Sequence, residues 1–137
     1  MNRSDELSEL TKEGLESFAS GGLGFFTDRI SRQDGVLAIG TDPKEWWAGY
    51  DTIVNVFQAQ SEAMQGMAIV NVQPQAYSAG NVGWVAAEPA FRLPDGTELP
   101  FRLTAVYHKE DGDWRIVQWH ASLGVANEDA IGEELPI

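Results

Sequence analysis

The sequence of 137 residues has the length of one ordinary domain, and its 43% hydrophobic and 22% charged residues are typical of a globular protein. A formal net charge of −12 excludes nucleic acid and anionic membranes as expected partners, because their phosphates would repel the chain. No cysteine is present, which excludes disulfides, thiolate catalysis and cysteine-bound zinc.

The first half of the chain shows the patterns of helices. Ser4 precedes two acidic residues, which is typical of a helix start, and the spacing of the following apolar residues predicts a helix to about Ser20. A second, short helix is expected over residues 23–30, and a buried strand over 36–39. After a turn, a third helix is predicted over residues 51–65.

The second half of the chain shows the patterns of strands. Antiparallel strands joined by short turns are predicted over residues 68–77, 81–93, 101–108 and 114–123. Because helices come first and strands follow, the order indicates an α+β fold rather than alternating βαβ units.

The whole chain, residues 1–137, is expected to form a single domain with a core over about residues 5–124. Residues 125–137 carry several carboxylates and no base, which predicts an acidic, solvated tail. The acidic start has no long apolar run, so we expect a cytoplasmic protein. Neither a metal nor a cofactor is expected, because metal-binding histidine spacings and glycine-rich phosphate loops do not occur.

The last predicted strand carries large apolar side chains on both of its faces. Strict alternation places Trp114, Ile116, Gln118 and His120 on one face. The opposite face carries Arg115, Val117, Trp119, Ala121 and Leu123. A sheet with one wet side would show a polar face, so we expect both faces to be covered. The helices can cover one face, and a second copy of the chain would cover the other, giving a homodimer.

The register of the hairpin over residues 101–123 stays open at this point. A two-residue loop would place Leu103 opposite His120. A loop lengthened by one residue through a bulge would place Thr104 opposite His120 and gather polar side chains around it. The histidine by itself is more simply a structural residue than a catalytic one.

Two stretches make a family recognisable: GTDPKEWWAGY at residues 40–50 and DGDWRIVQWHAS at residues 111–122. With the order of elements, they make residues 5–128 resemble the SnoaL-like branch of the nuclear transport factor 2-like superfamily. That superfamily includes ketosteroid isomerase, scytalone dehydratase, polyketide cyclases and the association domain of calcium/calmodulin-dependent protein kinase type II. The resemblance implies a cone: a strongly curved antiparallel sheet wrapped around the N-terminal helices, open at one end into a pocket, and dimerising through the convex face.

The resemblance also implies which residues line the pocket and which meet the partner. The implied pocket residues are Trp47, Phe57, Trp84, Glu88, Leu103, Ala105, Tyr107, Val117, Trp119 and Ala121. The implied dimer face consists of Trp114, Ile116, Gln118 and His120. The partner of the pocket would be a small apolar or aromatic molecule.

One hypothesis is an isomerase, dehydratase or cyclase that works by acid/base catalysis without a metal. Glu88 is the first candidate base, because an ionised carboxylate in an apolar strand is costly unless it is paired or functional. An ion pair with Arg102 would explain Glu88 equally well. Asp42 is a second candidate base, although Asp before Pro is also typical of a turn. Tyr50 or Tyr107 would donate a hydrogen bond to the developing oxyanion.

The alternative hypothesis is a module without catalysis that binds a ligand or only dimerises. Gln118 stands where relatives have the first histidine of a His-x-His ending. Ala105 and Ala121 stand where the kinase association domain has arginines. Both departures favour the alternative, and neither hypothesis identifies the ligand.

Overall fold

The computed structural model describes residues 1–22, 24–64 and 66–137. Helices in these ranges are α1 (Asp5–Ser20), α2 (Gly24–Arg29), α3 (Tyr50–Ala63) and α4 (Asn127–Ile131). Leu23, where the second helix was predicted to begin, and Gln65, where the third was predicted to end, lie outside the described residues. No helix of the described ranges is long and apolar enough to cross a membrane.

The first helix forms as its sequence predicts. Ser4 is its N-cap, and the Ser4 hydroxyl accepts a hydrogen bond from the Leu7 backbone N–H at 3.2 Å. Gly21 ends the helix in a left-handed conformation, with φ 81°. Leu7 and Leu15 are buried on its inner face. The helix therefore packs against the sheet along one apolar stripe.

Strands over the described residues form two sheets. The strands are β1 (Asn2–Arg3), β2 (Leu37–Ile39), β3 (Trp46–Ala48), β4 (Ala68–Val70), β5 (Gln75–Ala79), β6 (Val82–Ala87), β7 (Ala90–Arg92), β8 (Glu98–Pro100), β9 (Arg102–Glu110) and β10 (Asp113–Ser122). The large sheet has the order β1-β5-β6-β9-β10-β2-β3, and the small sheet the order β4-β7-β8. Neighbouring strands are antiparallel except β10 and β2, which are parallel. The α+β order and the curved sheet around the N-terminal helices are confirmed.

Two of the predicted strands are each divided between the two sheets. The stretch 68–77 breaks after β4, where Asn71 adopts a left-handed φ of 60° and Pro74 follows. The stretch 81–93 breaks after β6, where Pro89 has no N–H to give to a ladder. The chain therefore leaves the large sheet twice to build the small one, which the sequence pattern did not predict.

The hairpin of β9 and β10 combines features of both predicted registers. Asp111 and Gly112 form a two-residue loop with φ values of 52° and 85°, a turn that suits twisted antiparallel strands. His120 nevertheless lies opposite Thr104, because a bulge at Val117 adds one residue within β10.

The bulge reverses the side-chain alternation of β10. Trp114 and Ile116 lie before it and Trp119 lies after it, yet all three are buried in the same core. The prediction that Trp114 and Ile116 face a partner chain is therefore wrong. Gln118 and His120, after the bulge, remain on the other side of the strand and are half-buried. Strict alternation failed because a bulge leaves no simple mark in the sequence.

The core lies between the hollow face of the large sheet and helices α1 to α3. Gly83 on β6 lets α1 approach closely, since a Cβ atom there would collide with the Leu7 side chain. Tyr107 is fully buried, and its hydroxyl lies 2.9 Å from the Thr11 hydroxyl on α1. Burial raises the pKa of Tyr107 to about 12, although the Thr11 hydrogen bond acts in the opposite direction.

Candidate functional site

A cavity of about 350 Å³ opens at the end of the cone where the small sheet lies. Its wall is mostly apolar and is contributed by α1, α3 and both sheets: Leu15, Phe18, Ile39, Trp47, Phe57, Ala63, Met64, Met67, Ile69, Phe91, Phe101, Leu103, Trp119 and Ala121. Polar side chains enter the wall from the β2–β3 loop and from α3: Thr41, Glu45 and Gln60. The cavity thus has an apolar body and one polar side.

The β2–β3 loop, residues 40–45, is held in a fixed turn. The Gly40 N–H donates to the Glu45 carbonyl at 2.9 Å and closes the hairpin. The Asp42 carboxylate accepts from the Lys44 N–H at 2.8 Å, the self-bonding that makes Asp common in turns. Glu45 thereby stands at the start of β3, beside the cavity.

The Glu45 carboxylate is oriented by three uncharged donors. One oxygen accepts from the Asp42 N–H at 2.8 Å and from the Thr41 hydroxyl at 3.5 Å. The other oxygen accepts from the side-chain amide of Gln60 on α3. Among the lining residues that the structure describes, Glu45 is the one with an ionisable side chain. The site therefore presents a single fixed carboxylate to an apolar space.

Gly40 is needed for this orientation because Glu45 folds directly over it. A Cβ atom at residue 40 would lie 2.8 Å from both Cβ and Cδ of Glu45. Real Cβ atoms do not approach other carbons so closely, so any larger residue would displace the carboxylate. Gly40 is thus a positioning residue for Glu45.

Aromatic rings form much of the cavity wall. Phe91 and Phe101 stack with centroids 4.2 Å apart, and Phe18 meets Phe57 edge to face at 5.7 Å. Trp119 is also part of the wall, and Phe26 packs edge to face against it with ring centroids 5.4 Å apart. These contacts fix the rings in place, so the shape of the cavity is set by packed side chains.

The structure brings part of the implied pocket set together at the cavity: Trp47, Phe57, Leu103, Trp119 and Ala121. Ala105 and Tyr107 point inward but are buried in the core, deeper than the cavity. Trp84 and Glu88 lie outside the cavity wall, and so does Val117 at the bulge.

The first candidate base, Glu88, is exposed to solvent and stands apart from the cavity. It follows the last residue of β6, and it lines a separate surface hollow together with Leu99, Arg102 and Leu123. An exposed carboxylate has no desolvation cost to explain, so the argument that singled out Glu88 does not hold. Glu88 is exposed because the predicted strand breaks at Pro89, so that Glu88 lies beyond the end of β6 and not inside a longer strand.

The other predicted catalytic residues also lie apart from the cavity wall. Asp42 is exposed in the turn. The Tyr50 hydroxyl donates to the Thr27 carbonyl at 2.6 Å and accepts from Arg32 at 3.0 Å, whose guanidinium covers the Tyr50 ring. These bonds tie α3 to α2 through Thr27 and to the segment after α2 through Arg32. The predicted base and donors therefore do not meet at one place.

The sequence did contain a signal for Glu45, which the predictions missed. Asp42 and Glu45 are spaced as in a capping box, where a Glu three residues on folds back to the first residue's N–H. No group of three or more His, Asp or Glu side chains within the described ranges is placed to hold a metal ion.

The outer, convex face of the large sheet forms a second notable surface. A cross-strand row runs over Tyr77, Trp84, Val106 and Gln118 on four neighbouring strands. Tyr77 is 38% exposed, and Val82 beside this row is 42% exposed. The face therefore offers large apolar and aromatic groups to solvent in the single chain.

Helices held in the hollow of a curved, unclosed sheet, with a cavity at the wide end, define the nuclear transport factor 2-like class. The chain belongs to the SnoaL-like domain family, whose model matches residues 8–126. The resemblance seen in the sequence is thereby confirmed. No curated protein matches the sequence.

Solved structures show the same fold at low sequence identity. A nuclear transport factor 2-like protein of unknown function from Pseudomonas putida is 15% identical, with a TM-score of 0.79 over 95% of this chain and 91% of that one. A candidate calcium/calmodulin-dependent protein kinase type II association domain from Thiobacillus denitrificans is 19% identical, with a TM-score of 0.71 over 91% and 98%. A candidate dehydratase from Streptomyces avermitilis is 11% identical, with a TM-score of 0.76 over 89% and 96%.

Proposed function

We propose that this SnoaL-like protein binds a small, mostly apolar molecule in its cavity, with the polar end of that molecule against Glu45. The observation that carries the proposal is one oriented carboxylate in an otherwise apolar and aromatic wall. Ligand sites of proteins share this composition, with volumes of about 300–1,000 Å³. The cavity of about 350 Å³ is at the lower end of that range.

Filling the cavity tests the proposal. Ala121→Phe places a ring in the cavity wall, whereas the control Ala59→Phe places it on the exposed face of α3. With 4-phenyl-1-butanol as the probe, we expect the unfolding midpoint to rise for the wild type and for Ala59→Phe, because a ligand of the folded state stabilises it. For Ala121→Phe we expect no rise. Equal rises in all three proteins would place the probe elsewhere and refute the proposal.

Proton transfer by Glu45 is a second candidate function. Its support is the fixed orientation of the carboxylate beside an apolar wall, the setting in which general bases work. A fold shared with a candidate dehydratase is compatible with such chemistry but does not show it. In this reading Glu45 replaces Glu88 as the base.

Hydrogen exchange of a ketone separates catalysis from binding. Glu45 would take a proton from the α-carbon of 2-tetralone. The resulting enolate would then receive a deuteron from heavy water at the same carbon. We expect wild-type protein to accelerate this exchange, measured by NMR, and Glu45→Gln to reduce the acceleration roughly a hundredfold. Glu88→Gln is the matched control and should exchange like the wild type. If wild-type protein binds 2-tetralone without accelerating exchange, the chain is a binding module.

A homodimer through the convex face of the sheet completes the proposal. The exposed aromatic and apolar side chains around Trp84 and Val106 support it, as does the fold shared with a candidate association domain. Gln118 and His120 would lie in the interface, whereas Trp114 and Ile116 are core residues. We expect Trp84→Arg to convert a dimer into a monomer in analytical ultracentrifugation. A wild-type monomer at high concentration would refute the dimer.

Two further expectations from the sequence stay predictions. The net charge of −12 still argues against nucleic acid and anionic membranes as partners. A cytoplasmic location is checked by cell fractionation.

A further inference from the structure

We infer that the cavity selects an organic cation, namely an apolar molecule that ends in an ammonium group. The inference rests on the proposed function, since it names the ligand class for the same cavity. It follows from the charge of the wall and from the aromatic rings in that wall.

The wall of the cavity carries one negative group and no positive one among its described residues. The donors to Glu45 are a backbone N–H, a hydroxyl and an amide, none of which carries a charge. They orient the carboxylate without supplying a counter-ion. A ligand with a carboxylate or phosphate would meet a like charge here, whereas an ammonium would form a charge-assisted hydrogen bond.

Two tryptophans line the cavity together with Glu45. In the register of the sheet, Trp119 on β10 and Trp47 on β3 both pair with Ala38 on the strand between them. Residues two strands apart are separated by about 10 Å, and both indoles belong to the cavity wall. The faces of indole rings attract cations more strongly than those of other side chains.

Glu45 lies close to Trp47 along the chain, because β3 begins at the residue after Glu45. Phe18, Phe57 and the stacked pair Phe91 and Phe101 add further rings to the wall. A cation in the cavity would therefore find aromatic rings and a single carboxylate in the same wall. The net charge of −12 also draws cations toward the mouth of the cavity.

Three probes with the same apolar body test the inference: 4-phenylbutylamine, 4-phenyl-1-butanol and 4-phenylbutyrate. The amine is protonated at pH 7, as the Lys side chain is with its pKa of about 10.4. By isothermal titration at pH 7 we expect wild-type protein to bind the amine about tenfold more tightly than the alcohol, and the butyrate most weakly.

Variants assign the preference to the carboxylate. Glu45→Gln keeps the size and a hydrogen-bond acceptor but removes the charge, so the amine should bind no better than the alcohol. Glu88→Gln, which removes the same charge from the exposed hollow, should keep the tenfold preference. Circular dichroism of each variant checks that the fold is retained.

Three outcomes would overturn the inference, and they differ in what else they affect. An amine that binds wild type no better than the alcohol refutes cation selection and leaves the cavity proposal standing. A preference that survives in Glu45→Gln assigns it to the overall charge and also refutes the inference. If none of the probes binds, or if Ala121→Phe leaves binding of the alcohol unchanged, the proposed function fails as well.

Discussion

The contact between Thr11 and Tyr107 and the contact between Gln60 and Glu45 each join a helix to the sheet system, and they differ in their access to solvent. At the narrow end of the cone, Thr11 on α1 donates to the Leu7 carbonyl at 2.8 Å, so Tyr107 on β9 donates to Thr11. Both side chains are fully buried. At the wide end, Gln60 on α3 donates to Glu45, which is half-buried and borders the cavity.

The difference between the two ends follows from side-chain size along β9 and β10. Tyr107 fills the narrow end, and Gly83 lets α1 close over the sheet there. On β9 the inward residues beyond Tyr107 are smaller, namely Ala105 and Leu103, and Leu103 lies opposite Ala121 of β10. The helices do not reach into the space that remains. One fold therefore contains a sealed polar pair that stabilises and an open polar pair that is available for binding.

Truncation at the sealed end should have the largest effect on stability. We expect Tyr107→Ala to lower the free energy of unfolding by about 3–5 kcal/mol, because it leaves a cavity and removes the hydrogen bond that the Thr11 hydroxyl accepts. Trp47→Ala at the open end should cost about 1 kcal/mol, since water can fill the space. Urea unfolding at pH 7 measures both values. Equal losses would contradict the distinction between the two ends.

Alkaline pH provides a second way to compare the two ends. Burial raises the pKa of Tyr107 from 10.0 to about 12, so the folded chain keeps a proton that the unfolded chain loses from pH 10 upward. The contribution of protonated Tyr107 to the free energy of unfolding is fully present below pH 10 and is lost as the pH rises to 12. The expected loss is roughly 2–3 kcal/mol, at 1.36 kcal/mol for each pKa unit.

Tyr107→Phe is the variant that isolates this alkaline loss, because it keeps the ring and removes the ionisable group. Between pH 10 and 12 the free energy of unfolding of the variant should fall by roughly 2–3 kcal/mol less than that of the wild type. A wild type and a Tyr107→Phe variant with parallel pH curves would contradict the prediction.

The smallest stability change is expected at the open end, where Gly40→Ala should displace Glu45 by steric contact. We expect the free energy of unfolding to fall by about 1 kcal/mol or less, because the carboxylate can turn toward solvent. Binding of 4-phenylbutylamine should weaken nearly as much as in Glu45→Gln. The double variant should bind like Glu45→Gln alone, since both changes remove the same interaction. Additive losses would show that Gly40 acts independently of Glu45.

Local sequence signals predicted the parts of the fold that depend on neighbouring residues. The Ser4 cap fixed the start of α1, and Asp111 with Gly112 fixed the hairpin loop. The division of strands at Asn71 and Pro89 was missed because each stretch also satisfies the pattern of one longer strand. The parallel pairing of β2 with β10 joins residues far apart in sequence, which no local pattern reports.

The candidate site was only partly predictable for the same reason. Trp119 and Ala121 reached the cavity as the family resemblance implied, but the resemblance carried Glu88 to a place where this chain turns away from the sheet. Trp114 changed sides because of the bulge at Val117. Glu45 lies in a loop, and its role depends on Gln60 from a separate helix.

The hairpin that carries Glu45 ends in β3, which is one of the two edge strands of the large sheet. An edge strand has a neighbour on one side, so the loop over residues 40–45 can gain or lose residues without shifting the register of the other strands. Changes there would move or replace the charged group while the aromatic wall stays in place. Ligand charge can therefore diverge among homologues faster than ligand shape.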